Sequence, residues 1–150
     1  MHVLHQLTGV HMETVSVPGT LDSLTAIREY VKAAAEEAGL DGRRAYRLQL
    51  AVDEIATNIV NHGYREAGRS GEVRVSAETN HDSLTITLED TAIPFDPRRM
   101  KRPEQIDLPL AERPIGGLGV FLAIESVDEF RHEYVDNMNR NVFVMRRSSS

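Results

Sequence analysis

Between residues 21 and 90 the apolar residues of this 150-residue chain change period once, near residue 71, and any fold must accommodate both parts of that pattern. Upstream they recur three or four residues apart, as a helix with one buried face requires. Downstream they alternate with polar residues, as a half-buried strand requires. In the first part, Thr20 can cap a helix over Leu21 to Ala38 that turns Leu24, Ile27, Val31, Ala34 and Ala38 to the core, and Gly39 ends it. Asp41 can cap a second helix with an apolar seam of Leu48, Val52, Ile55 and Ile59, and Gly63 is placed to stop it.

In the second part, Val73, Val75 and Ala77 alternate with Arg74, Ser76 and Glu78. After a turn at Asn80-His81-Asp82, Leu84, Ile86 and Leu88 alternate with Thr85 and Thr87, so an antiparallel hairpin with one buried face is expected. Met12 to Val17 predicts an edge strand stopped by Pro18-Gly19, and two last strands are expected from about Asp128 to Val135 and from Asn141 to Arg146, with a turn at Asp136 to Arg140. Five of the six prolines fall among charged residues between 93 and 115, which predicts a long loop. Loops of that length inside a domain are usually functional lids or disordered inserts. Gly116-Gly117-Leu118-Gly119 then opens an apolar helix over Val120 to Ile124. With no internal repeat, residues 1–150 read as one domain carrying a lid at about 93–115.

Composition removes several classes of chemistry. The chain has no cysteine, which excludes disulfides, thiolate metal sites and cysteine nucleophiles. A net charge of −6 argues against direct nucleic-acid binding, although Arg98, Arg99, Lys101 and Arg102 make a local basic patch. His2, His5 and His11 lack the spacing of a metal cluster. No apolar run of about 18 residues and no signal pattern occurs, so a cytoplasmic chain without a membrane segment is expected.

Three segments carry candidate chemistry. At about 100° per residue, Glu54, Asn58, Asn61 and His62 share a stripe beside the apolar seam of the second helix. Asn58 offers a hard oxygen suited to Mg²⁺. Glu54, one turn earlier, can align a hydroxyl or water for attack on a phosphoryl group. Asp90, at a strand end, can accept from an exocyclic amine or simply begin a turn. The glycines at 116, 117 and 119 let backbone amides approach an anion at a helix N-terminus, and they equally suit a plain loop-to-helix turn.

Taken in order, Ala51 to His62, Asp90 to Pro97 and Gly116 to Gly119 resemble the N box and the two glycine boxes of the GHKL superfamily of ATPases, which includes histidine kinases and gyrase. The resemblance is strongest to the anti-sigma-factor serine/threonine kinases, and it spans about residues 12 to 147. Asn141-Val142-Phe143-Val144-Met145 looks like that family's final strand. The resemblance implies an α/β chain folded as an α+β two-layer sandwich, the histidine-kinase-like ATPase (Bergerat) fold, with helices on one face of a mixed, mostly antiparallel sheet. It implies Glu54 as the catalytic carboxylate and Asn58 as the Mg²⁺ ligand. It implies an ATP site drawn from Asn58, Asn61, His62, Asp90, Ala92, Phe95, Gly116, Gly117, Leu118 and Gly119, with Asp90 on adenine and the glycines facing phosphates. It also implies a sigma factor that is held, an anti-anti-sigma (STAS-type) protein that is phosphorylated on serine, and a homodimer. One position departs from the pattern, because Ala92 stands where the family has glycine. If that residue needs positive φ, alanine costs about 1 kcal/mol or more, and its methyl can crowd a base. The leading expectation is an ATP-dependent protein-serine kinase, and the alternative is a partner-sequestering module of the same fold with weak or absent nucleotide binding.

Overall fold

A computed structural model describes residues 10–99 and 117–147. Its strands are β1 (Val10–Pro18), β2 (Glu72–Thr79), β3 (Ser83–Asp90), β4 (Glu129–Val135) and β5 (Met138–Arg146), and its helices are α1 (Leu24–Ala38), α2 (Gly42–Asn58) and α3 (Gly117–Ser126). The strands form a five-stranded sheet in the order β1-β2-β3-β5-β4. Every pairing is antiparallel, so the sheet expected to be mixed is wholly antiparallel among the described residues. The fold is α/β, a sheet with helices packed on its apolar face.

Register decides what that face carries. Val75 pairs with Leu88 and Ala77 with Ile86 across β2–β3, while Ile86 pairs with Phe143 and Leu84 with Met145 across β3–β5. All are buried against Leu48, Val52, Ile55, Ile27 and Val31 of the helices. At the end of β3 the same face turns polar, because Leu88 pairs with Asn141 and Asp90 with Asn139. A slip of one residue would expose the whole apolar set, so the apolar rungs also fix where these polar side chains sit. The opposite face is wet: Arg74 pairs with Glu89 at 2.9 Å, Glu89 with Arg140 at 3.6 Å and Arg140 with Glu133 at 3.4 Å, a charged row across four strands.

Local chemistry places the helix ends. Gly39, at φ 72°, stops α1 in the left-handed conformation, its N–H reaching the Ala35 and Glu36 carbonyls. The Asp41 carboxylate caps α2 by accepting the Arg44 N–H at 2.9 Å. Thr20 does not cap α1 in that way. A 3-10 turn (Leu21–Ser23) intervenes, and the Thr20 hydroxyl meets that of Ser23 at 3.3 Å.

Gly63 does not stop the second helix. α2 runs on into a π-helical turn over Ile59–Arg65, where the Glu66 N–H reaches the Asn61 carbonyl at 2.8 Å, five residues back. Gly63 is there for space, since a β-carbon on it would lie 2.8 Å from Cβ of Ala92. The last hairpin also departs from expectation. Asp136 and Asn137 both take positive φ, 55° and 62°, which makes a two-residue turn and starts β5 at Met138. Asn139 is therefore a strand residue, not part of a turn. The proline-rich segment begins with a 3-10 turn at Pro97–Arg99 where only loop was expected. The rest of the expected lid, Lys101 and Arg102 included, lies outside the described residues, as do Gly116 of the glycine turn, His2 and His5. Among the described residues, no helix is long and apolar enough to cross a membrane.

Candidate functional site

The site is built along one edge of α2 and its π-turn. Glu54 and Asn58 are both half-buried and one turn apart. At Glu54 the edge meets the first turn of α3, so closely that a β-carbon on Gly119 would lie 2.5 Å from Glu54 Oε2. Glycine at 119 is what lets the carboxylate stand there. Gly117 and Leu118 open the same helix, whose first N–H groups have no partner within it. A helix N-terminus carries partial positive charge, so this is a place where negative charge is stabilised.

Nine residues further on, about 13 Å by helical rise, the edge meets the end of β3. The Gly63 carbonyl accepts the Ile93 N–H at 3.4 Å, and the Tyr64 hydroxyl accepts the Thr91 N–H at 2.8 Å while donating to the Glu72 carbonyl at 2.7 Å. These bonds bring Asp90 and Ala92 against the π-turn. Asp90 is 1% exposed; its Oδ1 accepts from the Ala92 N–H at 3.0 Å and from Asn139 Nδ2 at 3.0 Å. Burial pushes the Asp90 carboxyl above the usual carboxylate range, only partly offset by the Asn139 and Ala92 donors and by nearby His132. Its second oxygen, Oδ2, is buried with no hydrogen-bond partner. An acceptor left in that state costs about 1–3 kcal/mol, and buried orphans of this kind are rare enough to point at a missing donor. Asn61 Oδ1 and Asn141 Oδ1 are buried acceptors in the same condition.

Ala92 is only 2% exposed, and its methyl faces Gly63. It does not have positive φ; among the described residues only Asp136 and Asn137 do so without being glycine. The strain expected of alanine at this position is therefore absent, and the bare α-carbon of Gly63 makes room for the methyl. Phe95 is 37% exposed, with its N–H held by Asn139 Oδ1 at 3.1 Å. His62 is not brought to the others: its ring is half exposed and pairs with Glu66 at 2.9 Å. Arg98 is committed elsewhere too. It grips Asp96 through Nε at 3.0 Å and Nη2 at 2.8 Å and donates to the His132 carbonyl at 3.0 Å. Burial would raise the Asp96 carboxyl, but the hydrogen bonds and charge of Arg98 outweigh it and hold it below the usual range.

Asn139, His132 and Tyr64 were not foreseen. The signal for Asn139 was present in the alternation Asn139, Asn141, Phe143, Met145 along one face of β5, and it was masked by reading the turn three residues too long.

The arrangement joins a carboxylate at a helix N-terminus to a buried acceptor that lacks a donor, through one helix edge. It suits a ligand with an anionic end and an amine-bearing end. Known proteins share this fold. Residues 17–147 match the family model of the histidine kinase-like ATPase domain. The serine-protein kinase RsbW of Bacillus cereus is 27% identical over 127 residues, covering 83% of this chain and 78% of that protein, and RsbW of Bacillus thuringiensis subsp. konkukian matches to the same extent. Among solved structures, the RsbU and RsbW domains of Rv1364c from Mycobacterium tuberculosis align with a TM-score of 0.59 at 18% identity over 93% of this chain, which spans 34% of that one. A histidine kinase domain of a blue-light activated kinase from Erythrobacter litoralis aligns with a TM-score of 0.50 at 18% identity, covering 83% of this chain and 61% of that one. A family match running from the end of β1 through β5, over the elements that build this edge, means that the chain belongs to the histidine kinase-like ATPase domain family.

Proposed function

We propose that this chain is a protein-serine kinase of the anti-sigma type that uses ATP and Mg²⁺. The observation that carries the reading is the single edge of α2 that runs from the Glu54 carboxylate, against Gly119, to the unpartnered Asp90 Oδ2. Asp90 Oδ2 accepts from the exocyclic amine of adenine, with Asn61 and Phe95 beside the base. Asn58 supplies the oxygen for Mg²⁺, which neutralises the phosphates when bound. The first amides of α3, from Gly117 to Gly119 with Gly116 before them, face the phosphates.

In the transfer, Glu54 orients the incoming serine hydroxyl and takes its proton. The serine oxygen forms a bond to the terminal phosphorus, the bond from that phosphorus to the bridging oxygen breaks, and ADP leaves. The RsbW relatives, named as serine-protein kinases, support serine as the acceptor. In this reading residues 1–150 are one cytoplasmic domain with a lid at about 93–115. The chain works as a homodimer that holds a sigma factor and phosphorylates an anti-anti-sigma, STAS-type protein in a partner switch.

The test mixes the purified chain with labelled ATP, Mg²⁺ and an anti-anti-sigma, STAS-type protein. Phosphoserine on that protein is expected. Glu54→Ala should abolish transfer while changing ATP affinity less than about threefold, since Glu54 is assigned to the hydroxyl and not to the nucleotide. Transfer by Glu54→Ala at the native rate would overturn the role given to Glu54. Binding of a sigma factor with no heat from millimolar ATP would replace the kinase with a sequestering module, the outcome that the glycine-to-alanine change at 92 makes worth testing.

A further inference from the structure

The polar end of the sheet is organised by a residue to which no role has been given. The Asn139 side chain is 3% exposed and makes five contacts. Its Nδ2 donates to Asp90 Oδ1 at 3.0 Å, to the Ile93 carbonyl at 2.9 Å and, more weakly, to the Ala92 carbonyl at 3.3 Å. Its Oδ1 accepts the Phe95 N–H at 3.1 Å and lies 2.9 Å from His132 Nε2. An amide has two N–H donors and one carbonyl oxygen with two lone pairs, so this one is fully used. Nδ2 is committed to oxygens, so Oδ1 is the acceptor, and His132 Nε2 must carry the proton that it receives. His132 is itself 6% exposed in its side chain, with Nδ1 3.9 Å from Asp96 Oδ2. The network thus runs from β4 through β5 to the end of β3 and the first residues of the proline-rich segment.

We propose that Asn139 is the positioning residue of the base end, holding the Asp90 carboxylate and the root of the segment after β3 in one arrangement. With Oδ1 taken by Asn139 and the Ala92 N–H, Oδ2 is the oxygen left to meet a ligand donor. The same amide fixes Ile93 and Phe95, so base recognition and the entry to the proline-rich segment share one anchor. Where the proposed nucleotide reading holds, Asn139 sets selectivity for a base that offers an amine over one that offers a carbonyl at the same position, and this consequence rests on that reading.

The experiment compares the full chain with Asn139→Ala and Asn139→Ser, the latter keeping a small donor and acceptor should the alanine variant fail to fold. Affinities for ATP and inosine triphosphate are measured by calorimetry, and amide exchange at Ala92, Ile93 and Phe95 by NMR without nucleotide. Loss of one bond to a charged group predicts a fall of about tenfold or more in the ATP-to-inosine preference. Phe95 exchange should accelerate about tenfold or more in the free protein. An equal loss for both nucleotides, or native protection at Phe95 in either folded variant, overturns the positioning role. If the native chain binds neither nucleotide, the kinase reading fails, and the exchange measurement still decides whether Asn139 anchors the segment.

Discussion

At the scale of single residues the candidate site holds a buried carboxyl at a cost in stability. The Asp90 carboxyl is raised in the folded chain, so between the unfolded and folded values the native state holds a proton that the unfolded state has released. Stability from this group therefore falls as pH rises through that window and stays lower above it. Asp90→Asn removes the titration, so its melting temperature relative to the native chain should climb from pH 4 to pH 7, while ATP affinity falls about tenfold or more. A melting difference that is flat with pH would show that Asp90 is not the buried acid described. Gly119→Ala separates the same two quantities at the other end. Alanine is better than glycine in a helix by about 1 kcal/mol, and among the described residues the three atoms nearest to a β-carbon there all belong to the movable carboxyl of Glu54. The variant should melt no lower than the native chain, yet transfer phosphate at least about tenfold more slowly because the carboxylate is displaced. The placement of Glu54 and Asn58 one turn apart and of Asp90 at a strand end was legible in the sequence, because a helix and a strand end set it. Asn139 and His132 were not, because their role arises only from the register of β5 against β3 and β4.

Among the elements, the π-turn is where local rules and the folded chain disagree most. A glycine after a helical run reads as a stop, but Gly63 is buried in continuing helix because Ala92 fills the space where its side chain would be. The two positions should therefore be coupled. Gly63→Ala brings two β-carbons to 2.8 Å, a contact that something must yield to, and overpacking of this kind costs about 1–3 kcal/mol. Ala92→Gly removes the obstacle, so the double variant should recover at least about 1 kcal/mol of that loss in a denaturation cycle. Simple additivity would mean that the π-turn and the segment after β3 are not packed as described. The amphipathic helices and alternating strands were readable because burial repeats along them: Leu24, Ile27, Val31, Leu48, Val52, Ile55, Val73, Val75, Leu84, Ile86 and Leu88 are all buried as their periods demand. The π-turn has no such period, and the Asp136-Asn137 turn depends on two positive φ values that the surrounding residues do not announce.

For the whole molecule, the site lies where elements far apart in sequence meet: α2 and its π-turn, the ends of β3 and β5, and the start of α3. Among the described residues the helices cover one face of the sheet, and the other carries the charged row. A ligand that bridges these elements must therefore stabilise the cooperative unit and not one segment alone. A ligand at 100 times its Kd adds about 2.7 kcal/mol to the folded state. In a chain of 150 residues, where each kcal/mol moves the midpoint by roughly 2–4 °C, ATP with Mg²⁺ should raise the melting temperature by roughly 5–10 °C. The Asp90→Asn variant, at the same ATP concentration, should shift by about half as much or less, because its base end no longer accepts the amine. Guanosine triphosphate, with a carbonyl where adenine has its amine, should do little to the native chain. Equal shifts from both nucleotides would place the stabilising contacts on the phosphates alone and remove Asp90 from recognition. No shift with either would leave the α2 edge as a surface for protein partners, with its buried acceptors waiting on a donor from a protein.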